Sequence, residues 1–387
     1  MRLFISVGEP SGDLHAATLI RELRRRLPDV EIVGFGGEKM EAAGCQLLYP
    51  LCQLAVMWFL RVLANIHVFL GLIFKADRYF RHHKPDALIL IDYPGFNLML
   101  ARRAALHGIP VFYFLPPQVW AWDGDRVKRI RKYVDHVLCA LPFEQEWYAE
   151  HYVNSHWVGH PYFDELTQQE LDDEFLNSQR AEGSTIIGLL PGSRTQEVEK
   201  NFQTMLETAK RIHKQRPDTK FLVANFKEQH RKLIELQMGS SGIPIETYVG
   251  RTPEIIELAH SCISVSGSVG LELMYRTTPT AVLYKVTRWE MTLAKWLKTC
   301  DYISLVNLIA KRELFPEFLV DYCPAQELSE LLLGWLHEPE EYSRLVDELG
   351  QLRDNVGEPG ASARVGAYIA EALGCGSVSG DSRRKAA

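Results

Sequence analysis

The sequence predicts an α/β protein built from two doubly wound, Rossmann-like domains that face a cleft. Short apolar runs of strand length alternate with helical patterns, which is typical of parallel sheets covered by helices on both faces. The alternation begins at Leu3 and restarts at Thr185 after a polar stretch, and 387 residues exceed one usual core. Ligands of such sheets bind outside the carboxyl ends of the strands, so we expect the site between the domains.

The first domain is predicted to span residues 1–168. Its strands are short apolar runs that mostly end at glycine, at proline or at a helix start. The predicted strands are Leu3–Val7, Glu31–Phe35, Ala87–Ile91, Val111–Leu115, Val134–Leu138 and His156–Val158.

The second domain is predicted to span residues 169–340 and to repeat this pattern. Its predicted strands are Thr185–Leu190, Lys220–Ala224, Ile245–Tyr248, Cys262–Ser266 and Thr280–Tyr284. The helices of residues 341–374 are expected to cross back onto the first domain, either their own or that of a partner copy. The Gly, Ser and Arg-rich tail at 375–387 is predicted to be disordered.

A long apolar helix is predicted near Val56–Phe80. It contains 13 residues without formal charge from Val62 to Phe74, fewer than the roughly 20 that a membrane span needs. Two interpretations remain open. The helix is either buried in the core, or it lies at a membrane interface with its basic end against lipid headgroups, and that end contains Lys75, Arg78, Arg81 and Lys84.

Composition argues against several classes of protein. The seven cysteines form no C-x-x-C pair, which argues against a disulfide framework and against structural zinc. Basic clusters occur without any nucleic-acid-binding motif, so no nucleic acid partner is expected. Met1–Ile5 predicts a strand and not a signal peptide, and we therefore expect a cytoplasmic protein.

Two polar loops follow strands of the first domain. The loop Gly8–Asp13 precedes a helix, where backbone amides favour an anion, although Ser11 or Asp13 is equally suited to a plain helix cap. Asp92 follows the most apolar strand, where partial burial would raise its proton affinity and suit it to general-base catalysis. A helix cap before Pro94 is the alternative for Asp92.

Two further turns follow strands of the second domain. Ser193 and Arg194 begin a helix, where amides and a guanidinium together suit a diphosphate; a surface turn with a solvated arginine is the alternative. Gly267 and Ser268 form a small-residue turn that suits a phosphate, and Glu272 follows at a position suited to ribose hydroxyls. Two such turns favour a nucleoside diphosphate.

Two other features are better explained by structure than by chemistry. Asp123 and Asp125 form an Asp-x-Asp motif that holds a metal in some glycosyltransferases, but before a basic helix they are expected to cap it. His160, near the domain junction, is expected to be a structural histidine.

Taken in order, these segments resemble the lipid-A-disaccharide synthase family of GT-B glycosyltransferases. Similar motifs run along almost the whole chain, among them Val7–Asp13, Ile91–Asn97, Val119–Trp122, Leu141–Glu144, Leu189–Glu199, Ser266–Glu272 and Asp301–Leu305 with Asn307. The resemblance implies inverting transfer of 2,3-diacylglucosamine from UDP to the 6-hydroxyl of 2,3-diacylglucosamine 1-phosphate, which gives a β-1,6 disaccharide. It implies no metal and no cofactor.

The resemblance also assigns roles to residues. It implies Asp92 as the base and Arg194 as the group that neutralises the diphosphate, with UDP further held by Ser193, Gly267, Ser268, Glu272 and Asn307. It places the acceptor and lipid at Glu9, Ser11, Gly12, Asp13, Met57, Trp58, Phe59 and Trp120. It further implies a homodimer that contacts the cytoplasmic face of the inner membrane.

The chain departs from the family pattern at five positions, one of which is Pro10 in place of a commoner Ala or Thr. The family usually has an acidic residue at 95, a small residue at 58, Ser at 118 and Arg at 123, where this chain has Gly95, Trp58, Gln118 and Asp123. The absence of a second carboxylate at 95 argues against a mechanism that needs two, and Trp58 and Gln118 bear on acyl-chain length or the choice of acceptor. The alternatives are another GT-B transferase or epimerase that uses a UDP-sugar, or a noncatalytic relative that binds lipid or nucleotide.

Overall fold

The structure is a computed structural model that describes residues 1–55, 66–122, 126–289, 291 and 301–374. The predictions for Met57, Trp58 and Phe59 lie outside those residues. So do the predictions for Asp123 and Asp125 and for the tail at 375–387.

Contacts divide the chain into two compact units. Unit 1 is Met1–Glu165 together with the C-terminal residues from Pro359, and unit 2 is Leu166–Glu358. Each unit contains one parallel sheet flanked by helices, so the predicted α/β fold class with two doubly wound sheets is confirmed.

Unit 1 contains a seven-stranded sheet in the order β3-β2-β1-β4-β5-β6-β7. Its strands are β1 Arg2–Val7, β2 Glu31–Phe35, β3 Gln46–Tyr49, β4 Ala87–Ile91, β5 Val111–Phe114, β6 His136–Cys139 and β7 Ser155–Trp157. The central strands β1 and β4 are almost entirely buried apolar residues, because helices cover both faces of the sheet.

The described part of the chain contains nine helices before residue 168. They are α1 Pro10–Arg26, α2 Glu38–Ala42, α3 Leu51–Ala55, α4 Ile66–His83, α5 Pro94–Leu106, α6 Val119–Trp122, α7 Arg126–Tyr133, α8 Pro142–Glu150 and α9 Tyr162–Thr167.

Unit 2 contains a six-stranded sheet in the order β10-β9-β8-β11-β12-β13. Its strands are β8 Thr185–Leu190, β9 Thr219–Asn225, β10 Ile245–Val249, β11 Ser261–Ser264, β12 Thr280–Lys285 and β13 Glu317–Val320. The helices that follow α9 are α10 Asp173–Arg180, α11 Thr195–Gln215, α12 Glu228–Met238, α13 Thr252–Leu258, α14 Val269–Tyr275, α15 Leu305–Ala310, α16 Ala325–His337, α17 Pro339–Val356 and α18 Ala361–Ala372.

The last helix, α18, packs on unit 1. Val365 and Ile369 lie in the same apolar cluster as Leu19 and Leu23 of α1. The Asp164 carboxylate accepts hydrogen bonds from the N–H groups of Gly360, Ala361 and Ser362, and so it caps the start of α18. The helix is thus held at its N-terminus and along its apolar face.

Two strands, β3 and β13, were not predicted from the sequence. Both lie at an edge of their sheet, and both are four residues long and largely half-buried. Within the ranges that the structure describes, no helix has both the length and the apolar character to cross a bilayer.

Candidate active site

In each unit, the polar loops singled out in the sequence lie where the strand order reverses. β1 pairs in parallel with β4 in unit 1, and β8 pairs in parallel with β11 in unit 2. β1 also pairs with β2 on its other side, and β8 also pairs with β9. In each unit the strands that follow in the chain are therefore added first on one side of β1 or β8 and then on the other. Such switch points leave a crevice at the carboxyl ends of the strands, where ligands of open α/β sheets bind.

Asp92 occupies a constrained turn at the switch point of unit 1. It follows β4 directly, and both Asp92 (φ 49°) and Tyr93 (φ 50°) adopt left-handed backbone conformations. Residues other than glycine rarely adopt this region, and each instance costs about 1–3 kcal/mol. Such strain persists only when the surroundings impose it, and it is common at functional sites.

The contacts that impose this turn converge on the backbone carbonyl of Asp92. The Asn97 Nδ2 donates to this oxygen at 2.7 Å, and the Tyr113 hydroxyl donates to it at 2.8 Å. Asn97 is itself fixed, because the Ser6 hydroxyl donates to its Oδ1 at 2.7 Å. Asn97, Tyr113 and Ser6 are all fully buried, so water does not compete for these hydrogen bonds.

The environment of Asp92 favours a carboxyl group that takes up protons readily. Burial raises the pKa of Asp92, and the N–H of Tyr93 and the nearby His15 lower it only in part. His15, on α1, has its Nδ1 3.0 Å from Glu165 Oε1. A partly buried carboxylate with a raised pKa suits a general base.

The loop Gly8–Asp13 lies beside this turn. A side chain at Gly8 would collide with the ring of Tyr93, so glycine allows the two loops to pack together. Glu9 and Ser11 are exposed, whereas Gly12 and Asp13 are buried. The loop therefore presents only its first residues to a ligand.

Asp13 has a structural role that the sequence did not reveal. Its carboxylate accepts hydrogen bonds of 3.0–3.1 Å from the N–H groups of Gly37, Lys39 and Met40, at the start of α2. It therefore caps α2 and not the helix in which it lies. The sequence interpretation of Asp13 as a helix cap was right in kind but chose the wrong helix.

Trp120 is held by the Leu141–Glu144 motif. Its indole Nε1 donates to Glu144 Oε1 at 3.2 Å, and its ring packs edge-on against Phe143 with centroids 4.9 Å apart. Burial raises the pKa of Glu144 to about 7. Two motifs to which the sequence gave no common role thus meet, and α6 is fixed on α8.

Arg194 and Ser193 lie in the turn after β8, and Glu197 binds both. The Glu197 Oε2 accepts from the N–H groups of Ser193 and Arg194 at 3.2 Å each, and its Oε1 accepts from Arg194 Nη1 at 2.8 Å. Gly192, with φ of +123°, allows the turn. The Arg194 side chain is 80% exposed, so its other N–H groups can reach an anion.

Gly267 and Ser268 are exposed in the turn after β11, the strand next to β8. The hydroxyl of Ser266, in the same turn, donates to the carbonyl of Ile303 at 2.7 Å. The segment before α15 is thereby attached to this turn. Two exposed turns thus follow the adjacent strands β8 and β11. One presents the Arg194 guanidinium, and the other presents the small residues Gly267 and Ser268.

Asn307 does not offer its amide to a ligand. Its Nδ2 donates to the carbonyl of Phe315 at 2.7 Å and to Glu317 Oε1 at 2.9 Å, and its Oδ1 accepts from the N–H groups of Leu314 and Phe315. Glu317 also accepts from the N–H groups of Ile303 and Ser304. Asn307 therefore helps to fix residues 303–304, because both it and their N–H groups bind Glu317.

Glu272 is buried on α14 beside Arg276. Its Oε1 accepts from Arg276 Nε at 3.3 Å, and Arg276 also contacts Glu257 and Gln169. The ribose contact expected from the sequence stays a prediction. His160, expected to be structural, accepts from the N–H of Tyr162, and burial lowers its pKa to about 3.

Several supporting residues were missed by sequence reasoning. His230 is fully buried at the start of α12, with Nε2 3.2 Å from the Thr195 hydroxyl in the Arg194 turn. Ser6 interrupts an otherwise apolar strand, which was a signal that it has a buried polar partner. In the described part of the chain, no group of three His, Cys, Asp or Glu residues is placed to hold a metal ion.

Comparison with known proteins identifies the relatives of the chain. Residues 3–356 match the family model described as lipid-A-disaccharide synthetase. The chain is 34% identical over 374 residues to lipid-A-disaccharide synthase of Geobacter sulfurreducens, covering 96% of this chain and 97% of that protein. It is 32% identical over 380 residues to the synthase of Myxococcus xanthus, covering 97% and 99%.

Solved structures share the fold at low sequence identity. The UDP-GlcNAc 2-epimerase of Neisseria meningitidis, bound to UDP-GlcNAc, aligns with a TM-score of 0.61 at 14% identity, covering 96% of this chain and 99% of that chain. The calicheamicin glycosyltransferase aligns with a TM-score of 0.60 at 11% identity, covering 96% and 98%. These likenesses establish the GT-B type of fold alone.

Proposed function

The chain belongs to the lipid-A-disaccharide synthase family, and from this premise we propose that unit 2 binds the UDP-sugar while unit 1 supplies the base and the acceptor site. The glycosyltransferase function predicted from the sequence is confirmed. The epimerase alternative is not supported, because the relatives that align at 32–34% identity are synthases.

The proposed substrates are UDP-2,3-diacylglucosamine and 2,3-diacylglucosamine 1-phosphate. Asp92 accepts the proton of the acceptor 6-hydroxyl, whose oxygen attacks the anomeric carbon of the donor. The bond from that carbon to the UDP oxygen breaks, and UDP leaves with the electron pair. One displacement inverts the anomeric centre and forms the β-1,6 linkage.

The proposed donor site neutralises the charge that develops on UDP. Arg194 is suited to this task because a guanidinium binds phosphate oxygens with two parallel hydrogen bonds. Ser193, Gly267 and Ser268 are proposed to contribute backbone amides or hydroxyls at the adjacent strand ends, and Glu272 to bind the ribose. Asn307 is proposed to act indirectly, by holding the segment that Ser266 contacts.

One observation supports this proposal above the others: each sheet carries its reactive residues at its own switch point. Asp92 and the Gly8–Asp13 loop follow the paired strands β4 and β1, and Arg194 and Gly267 follow the paired strands β8 and β11. Glu9 and Ser11 are exposed beside Asp92 and are proposed to contact the acceptor, with Gly12, Asp13 and Trp120 shaping that surface.

The proposed reaction is tested by incubating the protein with both acylated substrates and identifying the products by mass spectrometry. We expect UDP and a tetraacylated disaccharide 1-phosphate. UDP-GlcNAc without acyl chains serves as the control donor and should be transferred much more slowly. Release of UDP without any disaccharide, or formation of a 2-epimer, would contradict the proposal.

The helix α4 is proposed to contact the inner membrane that supplies these lipids. Leu72, Ile73, Ala76 and Phe80 are buried in the core, whereas Leu70 is 44% and Phe74 is 64% exposed. The helix therefore has a buried face and an exposed apolar face, and Arg78 and Arg81 continue the exposed one. An apolar patch followed by cations is suited to the surface of an anionic bilayer.

This helix also adjoins the proposed base. Phe69 of α4 lies with its ring centroid 6.5 Å from that of Tyr93 and 5.9 Å from that of Phe96. Because Tyr93 follows Asp92 in the chain, a lipid held at α4 would be close to the reacting group. The peripheral membrane location and the acceptor position are thus proposed together.

Replacing Leu70 and Phe74 by serine is expected to weaken binding to vesicles of phosphatidylethanolamine and phosphatidylglycerol by roughly tenfold, because part of two apolar side chains no longer enters the bilayer. Vesicle co-sedimentation measures the affinity. Leu106→Ser removes another exposed apolar side chain, 67% exposed on α5, and should bind like the wild type. Equal binding by the double variant and the wild type would exclude α4 as the contact.

A homodimer that exchanges C-terminal segments remains part of the proposal. In the single chain, α18 packs on α1, and the Tyr368 hydroxyl contacts His136 Nδ1 at 2.9 Å. The same contacts would form between copies if the segment were exchanged.

A further inference from the structure

The carbonyl of Asp92 receives two buried hydrogen bonds from separate elements of unit 1. Asn97 lies in the first turns of α5, and Tyr113 lies on β5, the strand beside β4. Both donors point to one oxygen, at 2.7 Å and 2.8 Å. Asn97 Nδ2 is also within 3.2 Å of the Ile91 carbonyl, the last residue of β4.

We propose that Asn97 and Tyr113 are positioning residues that hold Asp92 in its left-handed turn and so aim its carboxylate at the acceptor hydroxyl. The proposal rests on Asp92 being the base. Without these donors, we expect the turn of two left-handed residues to relax toward common backbone conformations, because the two buried hydrogen bonds to its carbonyl are lost. A base displaced by about 1 Å can lose about a hundredfold in rate.

The arrangement also explains why the support is built from neutral groups. His15 on α1 lowers the pKa of Asp92, and the charge of Asp92 in turn helps to raise the pKa of Tyr113 on β5. Burial raises the pKa of Tyr113 well above its usual value, so its hydroxyl remains a donor throughout the working pH range. Asn97 does not titrate. The support therefore fixes the position of Asp92 and, through that position, the burial that raises its pKa.

The test compares two conservative tyrosine variants. Tyr113→Phe keeps the buried ring and removes only the hydrogen bond to Asp92, so we expect kcat to fall about tenfold with little change in KM for the donor. Tyr148→Phe is the matched control, because Tyr148 is also fully buried and donates to a backbone carbonyl, that of Pro117 at 3.1 Å. It should lose similar thermal stability and keep the wild-type kcat.

A stronger variant and a pH profile complete the test. Asn97→Ala should lower kcat by about a hundredfold, and Tyr113→Phe should move the acid limb of kcat/KM to lower pH, since a loosened Asp92 is better solvated. A role in stability alone would not move that limb. If Asn97→Ala does not fold, the comparison of Tyr113→Phe with Tyr148→Phe tests the positioning role by itself.

The outcomes separate this inference from the proposed function. Wild-type kcat and an unmoved acid limb in Tyr113→Phe, together with an inactive Asp92→Asn, would overturn the positioning role alone. Full turnover by Asp92→Asn would instead overturn the assignment of the base. A loss of kcat in both tyrosine variants to the same extent would attribute the effect to the core and refute positioning.

Discussion

Asp92→Asn is expected to abolish measurable sugar transfer while UDP binding remains at the wild-type level. Loss of a general base lowers rates by about 10²–10⁴-fold, because the attacking hydroxyl must then lose its proton to water. Asparagine has nearly the same shape and tolerates left-handed backbone conformations, so the turn should survive. The carbonyl that Asn97 and Tyr113 hold is unchanged by this substitution.

Turnover is measured as disaccharide formed, and UDP affinity by calorimetry. Asp135→Asn is the matched control, since this carboxylate accepts from the N–H of Val111 at the opposite end of β5 from the turn. It should retain wild-type kcat. An Asp92→Asn enzyme with normal turnover would remove Asp92 from the chemistry, and loss of UDP binding would indicate a wider structural effect.

The pH dependence of the wild type follows from the same environment. Because burial raises the pKa of Asp92, its base form should be lost at a higher pH than for an ordinary aspartate as the solution is acidified. The pH–rate profile should therefore have an acid limb, in which kcat/KM falls as the pH falls through the raised pKa of Asp92 and is constant above it. Its absence in a pH–rate profile would contradict a base with a raised pKa.

The buried strands were predictable from local sequence, and two of the four edge strands, β3 and β13, were not. Ala87–Ile91 and Thr185–Leu190 are apolar runs that match β4 and β8, because a strand covered on both faces needs no polar residue. The edge strands β3 and β13 face solvent in part, so their residues mix polar and apolar types. Their pairing depends on neighbours and not on their own pattern.

Candidate site residues were predictable where they follow a strand, because parallel strands end at a common edge of the sheet. Asp92 and Arg194 were identified on that basis. The supporting contacts were not predictable, since they join distant residues: Ser6 reaches Asn97 across 91 positions, and Asp13 reaches Gly37 across 24. The sequence likewise did not reveal that the side-chain amide of Asn307 is fully engaged in hydrogen bonds within the protein, because its partners depend on how α15 and β13 pack.

Arg194→Ala is expected to weaken UDP binding by about ten- to a hundredfold, since hydrogen bonds to charged groups contribute about 1.5–3 kcal/mol each. The fold should persist, because the side chain is 80% exposed and its ion pair is with Glu197 in the next turn of the helix. Calorimetry with UDP measures the change. The UDP affinity of Arg194→Lys should lie between those of the wild type and Arg194→Ala, because an ammonium keeps the charge and loses the bidentate geometry.

Glu197 determines how that loss is interpreted. Its carboxylate holds the Ser193 and Arg194 amides as well as the guanidinium, so Arg194→Ala leaves two of its three contacts in place and the turn intact. The control is Arg216→Ala, which removes a half-buried guanidinium paired with Asp218 beyond the far end of α11. A donor-site role requires weakened UDP binding by Arg194→Ala and unchanged binding by Arg216→Ala. Equal affinities in both variants would exclude Arg194 from the diphosphate site, and equal losses would indicate only a general effect of positive charge on an anionic ligand.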